Sequence, residues 1–179
     1  VTEIQRSAFK GCTSLESITI PGWVRSIPDG AFAYCTSLEN ITIPDLVRKI
    51  GGVAVGYFFG IHDFACGAFE GCTSLKNIII PDSVTEIHRS SFKGCTSLES
   101  ITIPGWVRSI PDGAFEGCTS LKSIIVPDSV TEIQRSAFKG CTSLESIAIP
   151  GWVRSIQDGA FECCTSLKSI IVPDSVTGI

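Results

Sequence analysis

The sequence predicts an α/β fold of the solenoid type, in which similar coils of chain stack on one another and share a parallel β-sheet. The first observation is a fixed period, because the tetrapeptide CTSL recurs every 23 residues with a single gap of 37. The second is that the apolar positions and a strand-ending proline are repeated in every copy. A constant period of roughly 20–50 residues is typical of solenoids, whose repeats bury their apolar faces only against neighbouring repeats. The copies of CTSL begin at Cys12, Cys35, Cys72, Cys95, Cys118, Cys141 and Cys164.

The first element of each repeat is a short β-strand. One full unit begins at Leu121 and reads LKSIIVPDSVTEIQRSAFKGCTS. The run LKSIIV predicts a strand with Leu121, Ile124 and Val126 on the inside. Pro127 has no amide hydrogen, so it ends the pairing of this strand, as the equivalent prolines do in the other repeats.

The remaining elements return the chain to the next strand. Val130 and Ile133 predict a second, shorter extended segment with its apolar side chains turned inward. The apolar residues that follow are spaced by one, three and three positions, which predicts one helical or 3₁₀ turn formed by Ala137, Phe138, Cys141 and Leu144. A turn of this length would not be stable as an isolated helix, so it depends on packing against the strands.

Stacking places equivalent residues of successive coils about 4.8 Å apart. We interpret the cysteines of the CTSL column as small buried hydrophobes rather than as disulfide partners or zinc ligands. Cys66 and Cys163 fall outside this column and should be accessible. A second interior column is predicted from the phenylalanines Phe9, Phe32, Phe69, Phe92, Phe115, Phe138 and Phe161.

The full pattern, L-x-x-I-x-I-P-x-x-V-x-x-I-x-x-x-A-F-x-x-C, resembles the signature of the BspA-like, or treponemal-type, leucine-rich repeat. The resemblance covers nearly all of a single domain, residues 1–179, except for one short segment. It implies a right-handed horseshoe with a parallel sheet on the concave face and the short helical or 3₁₀ turns on the convex side. It also implies a surface or secreted protein of a bacterium or protist that attaches to host or neighbouring-cell proteins without catalysis.

Composition and motifs exclude several classes of function. Apolar residues make up 44% of the chain and charged residues 18%, with a net charge of −4, which fits a folded protein and argues against nucleic acid as a partner. Neither His62 nor His88 lies in a nucleophile or metal motif, and there is no phosphate-binding or dinucleotide-binding signature. We therefore expect no enzyme activity, no metal and no cofactor.

Charged residues form columns in which the sign alternates from one repeat to the next. Opposite charges on adjacent strands are worth about 0.2–1 kcal/mol per pair and help to fix the register. We prefer this interpretation to a charge-based site. One column contains Lys76, Glu99, Lys122, Glu145 and Lys168. Another contains Glu70, Lys93, Glu116, Lys139 and Glu162.

A candidate protein-binding surface lies on the outward side of the strands. Its central column alternates between isoleucine and small residues, and tryptophans follow the strand-ending proline at one edge. Exposed tryptophan is enriched at interface hot spots. The alternatives are that the column is plain sheet surface and that the indoles pack over the loop edge. The candidate residues are Lys76, Ile79, Trp106, Lys122, Ile125, Trp152 and Ile171.

The gap of 37 residues contains a 14-residue apolar insertion at positions 51–64. Either it loops outward from the solenoid, or it wedges between two repeats and opens a groove. We expect an apolar patch or pocket here, with a lipid-like small ligand as a second hypothesis for function. The alternative is that these residues only form the insertion's own small core. The candidate ligand-binding residues are Val55, Tyr57, Phe58, Phe59, Ile61 and Phe64.

The two ends of the sequence are repeat segments, VTEI and VTGI, rather than polar caps. Val1 begins in the middle of a repeat, and the first residues lack the features of a signal peptide. Uncapped solenoid ends expose strand edges that pair readily. We therefore expect either end-to-end self-association or further flanking sequence.

Overall fold

The computed structural model describes residues 3–52 and 66–178, which form a parallel β-solenoid. Successive coils contribute strands of two or three residues to a first row and strands of two residues to a second row. The first row consists of β1 (Ser17–Thr19), β3 (Asn40–Thr42), β5 (Asn77–Ile78), β7 (Ser100–Ile101), β9 (Ser123–Ile125), β11 (Ser146–Ala148) and β13 (Ser169–Ile171). The second row consists of β2 (Ser26–Ile27), β4 (Lys49–Ile50), β6 (Glu86–Ile87), β8 (Ser109–Ile110), β10 (Glu132–Ile133) and β12 (Ser155–Ile156).

The first row runs through all the described coils. Its strands pair in parallel and in register, so that equivalent residues of neighbouring coils lie side by side. Two single bridges, Thr42 to Ile79 and Thr102 to Ile125, connect the better-paired groups. The alternation within the strand is as the sequence predicts, since Ile124 is buried and its neighbour Ile125 is exposed.

The second row is divided into two sheets among the described residues, β2–β4–β6 and β8–β10–β12. The position that follows β12 is Gln157, whose amide donates to the Ile133 carbonyl at 2.9 Å. The equivalent position after β8 is Pro111, which has no amide hydrogen to donate to Ile87. The pairing between β6 and β8 is therefore lost at a proline.

The predicted helical or 3₁₀ turns are not found in the described part of the chain, where this side of each coil is a series of tight turns. Successive amides alternate between two kinds of partner. The amide of Glu116 bonds three residues back to Gly113 at 3.1 Å, whereas that of Phe115 bonds across to Ala137 of the next coil at 2.9 Å. A helix would need every amide for its own turn. Bonding between coils takes every second one, so no helix forms.

The interior confirms the two predicted columns. Consecutive phenylalanine rings stack with centroids 5.3–5.6 Å apart and planes within 9° of parallel. Each cysteine thiol from Cys35 onward in the CTSL column donates to the phenylalanine carbonyl of the preceding coil, as Cys118 does to Phe92 at 3.1 Å. The thiols therefore fill space, and each adds a second hydrogen bond to a carbonyl that already accepts a backbone amide, as Phe92 accepts the Cys95 amide at 3.1 Å.

The solenoid continues directly across the insertion. Phe32 stacks on Phe69 at 5.5 Å, the same spacing as elsewhere in the column. In the second row Ile50 of β4 pairs with Ile87 of β6. The coils on either side of the insertion are thus immediate neighbours, and the predicted wedge between them does not form. Within residues 3–52 and 66–178, no helix has the length and apolar character needed to cross a bilayer.

Candidate protein-binding surface

Large apolar side chains are exposed mainly along the first strand row. The outward position of its strands carries Ile79, Ile125 and Ile171, which are 81, 75 and 81% exposed. These residues are exposed because the neighbouring positions on each strand, such as Ile78 and Ile80, face the core. The sequence correctly predicted that they would be on the surface.

A tryptophan lies in the turn that follows the first-row strand in three coils, as Trp23, Trp106 and Trp152. Trp106 and Trp152 are 65 and 67% exposed, so the alternative in which the indoles are packed away over the loop edge does not hold. The intervening coil has Ser129 at this position, and its hydroxyl donates to the Val107 carbonyl at 2.6 Å. Exposed indoles and inward-bonded serines therefore alternate along this edge.

The tryptophan position borders the outward face of the strands. A shallow groove of about 620 Å³ is lined by Ile79 and by Ser83, the serine that occupies the tryptophan position in its coil. Equivalent positions in the next coils place isoleucine and tryptophan on the same surface. We call the resulting zigzag the apolar band, and it consists of Ile79, Trp106, Ile125, Trp152 and Ile171.

The lysines of the candidate surface are neutralised by the preceding coil. Lys76 Nζ lies 3.5 Å from Glu39 Oε2, and Lys122 Nζ lies 3.9 Å from Glu99 Oε2. In the second charged column the lysine pairs with the following coil instead, with Lys139 Nζ 2.8 Å from Glu162 Oε2. That contact raises the pKa of Lys139. These geometries match the charge ladders predicted from the alternating signs, and they leave the apolar band as the distinctive feature of the surface.

The start of the insertion is held by a cluster that the sequence did not reveal. The amide of Gly52 donates to Asp29 Oδ1 at 2.6 Å, and Asp29 is only 7% exposed. The hydroxyl of Ser91, which is fully buried, lies 2.7 Å from the His88 carbonyl and 3.2 Å from the Ile50 carbonyl, so its one hydrogen is shared between them. The only available sequence signal was that Gly51 and Gly52 stand together where the period breaks.

The end of the insertion is held by a second polar cluster. Glu70 accepts a hydrogen bond from the Tyr34 hydroxyl at 2.9 Å and another from the Gly67 amide at 2.9 Å. The bond to Glu70 raises the pKa of Tyr34 to about 12. Lys10 Nζ lies 3.2 Å from the sulfur of Cys66. The candidate ligand-binding residues Val55, Tyr57, Phe58, Phe59, Ile61 and Phe64 lie outside the described residues, so the pocket stays a prediction.

None of the nine cysteines, all of which lie within residues 3–52 and 66–178, forms a disulfide bond. Burial raises the pKa of Cys72 and Cys141 to about 12 and that of Cys95 and Cys118 well above the usual value. Such thiols are poor nucleophiles, because the thiolate is the reactive form. No group of three His, Cys, Asp or Glu residues within 3–52 and 66–178 has the geometry to hold a metal ion.

Comparisons with solved structures give the same fold. A leucine-rich repeat protein of T. pallidum has a TM-score of 0.78 and 32% identity, covering 91% of this chain and 72% of its own. One from Bacteroides ovatus has a TM-score of 0.71 and 33% identity, covering 99% of this chain and 49% of its own. A leucine-rich cell surface protein of Faecalibacterium prausnitzii has a TM-score of 0.57 and 30% identity, covering 92% and 61%.

The family comparison is consistent with this. No curated protein sequence matches the chain significantly. The family model described as BspA type leucine rich repeat region matches in six copies over residues 2–64 and 62–179. This family and fold are typically non-enzymatic, and leucine-rich repeat proteins generally bind protein partners. The repeat pattern, the paired strand rows and the family match agree, and the chain belongs to the BspA-type leucine-rich repeat family.

Proposed function

We propose that this chain is a non-catalytic protein-binding module that attaches a microbial cell surface to proteins of a host or a neighbouring cell. The observation that carries the proposal is the apolar band, which exposes three isoleucines and two tryptophans on consecutive coils. A similar protein from F. prausnitzii is described as a cell surface protein, which supports the proposed location.

The band has the properties of an interface core. Five coils at about 4.8 Å per strand give it a length of about 19 Å. Contiguous exposed apolar surface of this kind usually marks an interaction site, and tryptophan is enriched among the residues that dominate binding energy. The paired lysines and glutamates beside it resemble the polar rim of an interface. Lys76 and Lys122 therefore belong to the rim, and the isoleucines and tryptophans belong to the centre.

The proposal is tested by binding of the protein to immobilised extracellular-matrix proteins. Trp106→Ser and Trp152→Ser use the residue that other coils carry at the same position, so the turn should be retained. Each should weaken binding about thirtyfold, as expected for a hot-spot residue. Trp23→Ser is the matched control, because Trp23 lies outside the band. Binding that is unchanged by both band variants, or equally weakened by the control, would overturn the proposal.

A variant that lacks residues 51–64 tests whether binding depends on the repeats or on the insertion. The excision restores the 23-residue period, and the flanking coils are already neighbours, so the solenoid should remain folded. Circular dichroism checks this. Matrix-protein binding that survives the excision supports a function on the repeats, whereas its loss would place the function on the insertion instead.

A further inference from the structure

The edge that carries the tryptophans also carries a row of unpaired acidic residues. Coils with serine at the tryptophan position have aspartate immediately before it, and coils with tryptophan have glycine there. Asp82, Asp128 and Asp174 are exposed, and no ion pair engages them in the described part of the chain. From Asp82 to Asp174, carboxylate and indole therefore alternate from coil to coil along this edge.

Asp82 lies on the first-row side of the edge, since it lines the same groove as Ile79. Asp128 and Asp174 occupy the equivalent position in their own coils. The nearby basic residue Arg108 lines a different groove, together with Ser109 and other second-row residues. A ligand lying over the first strand row would thus meet isoleucine, indole and carboxylate, while Arg108 lines the groove on the other side of the turn.

The spacing of the tryptophans along this edge favours one backbone conformation for a bound peptide. Trp106 and Trp152 are two coils apart, which corresponds to about 9.4–9.8 Å. A polyproline II helix has three residues per turn and a rise of about 3.1 Å, so it presents the same face every ~9.3 Å. An α-helix repeats its face at about 10.8 Å over two turns, and a β-strand at about 6.7 Å over two residues. Of these three repeats, that of polyproline II lies closest to the strand-based spacing of the indoles.

The space between the indoles is suited to such a segment. Ser129 occupies the intervening position, and its hydroxyl is bonded back to Val107 at 2.6 Å, so it does not fill the gap between Trp106 and Trp152. Proline rings pack well in aromatic-lined grooves and bring little conformational entropy to lose. Asp128 lies in the coil between the two tryptophans, where it would face the residue between two docked prolines.

We propose that the tryptophan–aspartate edge binds an extended, proline-rich segment of a protein that carries a lysine or arginine at every third residue. This rests on the proposed function and deepens it, because it names the chemical class of the partner. The segment would lie along the solenoid axis, with prolines against Trp106 and Trp152 and a cation against Asp128. Exposed pairing of this kind weakens with salt, so binding should fall as ionic strength rises.

The test is isothermal titration calorimetry of the intact chain with three nine-residue peptides. The probe is three repeats of Pro-Pro-Lys. Three repeats of Pro-Pro-Glu keep the conformation and reverse the charge, and three repeats of Gly-Ser-Lys keep the charge and remove the conformation. We expect binding of the first peptide only. Absence of binding by Pro-Pro-Lys, or equal binding by Gly-Ser-Lys, would overturn the inference, since charge alone would then explain any signal.

Variants locate the binding site of the Pro-Pro-Lys peptide. Trp106→Ser and Trp152→Ser should each weaken its binding about thirtyfold. Asp128→Gly introduces the residue of the tryptophan-bearing coils and should weaken it up to about fivefold, as for an exposed charge pair. Trp23→Ser should leave it unchanged, and an equal loss in this control would contradict the proposed site. Circular dichroism confirms that each variant is folded.

The two proposals fail in different ways. If matrix-protein binding depends on Trp106 and Trp152 but no peptide binds, the protein-binding function stands and the proline-rich partner is wrong. If the Pro-Pro-Lys peptide binds at these residues but no matrix protein does, the ligand chemistry stands and matrix proteins are the wrong partners.

Discussion

At the scale of the residue, the backbone requirements of the repeat are most visible where glycine is replaced. The residue before the CTSL cysteine has a positive φ in the coils described here. It is a glycine with φ of 70–74° in five coils, namely Gly11, Gly71, Gly94, Gly117 and Gly140. In the other two it is Tyr34 at 60° and Cys163 at 59°. Tyr34 gains a hydrogen bond to Glu70, whereas Cys163 is exposed and its side chain makes no comparable hydrogen bond within the described residues.

Cys163→Gly should therefore stabilise the protein. The left-handed conformation costs a non-glycine residue about 1–2 kcal/mol. The greater freedom of glycine in the unfolded chain offsets about 0.5–1 kcal/mol of that. We expect a net gain of about 0.5–1 kcal/mol in the free energy of unfolding, measured by chemical denaturation. Gly140→Ala is the reverse control and should be destabilising. Its Cβ would be 3.7 Å from Gly117, which is an ordinary contact, so only φ is at issue.

The phenylalanine column predicts a position-dependent cost of truncation. Phe115 is fully buried between two stacked neighbours at 5.6 and 5.5 Å, so Phe115→Ala should cost about 3–5 kcal/mol as a cavity. Phe161 has only one described stacking partner and is partly exposed, so Phe161→Ala should cost clearly less. Equal losses in the two variants, measured by urea denaturation, would show that the column is not the continuous core described here.

At the scale of the element, one proline decides whether two strands pair. The amide of Arg154 donates to Thr131 at 2.8 Å beside the β10–β12 pair, but the equivalent bond from Arg108 to Thr85 is not formed in the described structure. Pro111→Gln should supply the missing donor and join β6 to β8. The amide of Arg108 should then become protected from hydrogen exchange by about three- to tenfold, the equivalent of one hydrogen bond.

The reciprocal change is the control for this prediction. Gln157→Pro removes the bond from residue 157 to Ile133 and should deprotect the Arg154 amide by a similar factor. Proline is the native residue at this position in two other coils, so the turn should accept it. If Arg108 stays unprotected in Pro111→Gln, something other than the missing amide separates β6 from β8.

The elements also show how far the sequence alone could predict the structure. Strand rows, core columns and charge pairs were predictable, because each follows from one residue type recurring at one position. The exposure of Ile79 and Trp106 followed from the same alternation. The prediction of helical or 3₁₀ turns was wrong, because the spacing of apolar residues does not reveal that every second backbone amide bonds to the next coil. The anchoring of the insertion by Asp29 and Glu70 was not predictable, since neither contact recurs in the other repeats.

At the scale of the whole molecule, the solenoid is a chain of similar interfaces, so a property of one coil is multiplied along the stack. Each interior coil places a cysteine thiol against the phenylalanine carbonyl of its neighbour. Burial favours the neutral thiol and so raises its pKa in the folded state, to about 12 for Cys72 and Cys141. The unfolded chain loses these protons near pH 8.5.

Stability should therefore fall steeply in alkali. Between the unfolded and folded pKa values the folded state holds more protons, so the free energy of unfolding decreases as pH rises. The contribution is fully present below about pH 8.5 and is lost as pH rises toward 12, at about 1.4 kcal/mol per pH unit for each buried thiol. Cys118→Ala removes one such thiol at a cost of about 1–2 kcal/mol at neutral pH. The free energy of unfolding of the Cys118→Ala variant should then decline less steeply with pH than that of the parent chain.

The control is a core substitution without a titrating group. Ile124→Val should lower the free energy of unfolding by about 0.5–1.5 kcal/mol at every pH and leave the slope unchanged. Urea denaturation at intervals from pH 7 to pH 10.5 under reducing conditions gives the slope for each protein. Parallel curves for the parent chain and Cys118→Ala would mean that the thiols ionise in place within the fold. The column would then be more open to water than its burial indicates, and the interior of the solenoid would be less continuous than the phenylalanine stack implies.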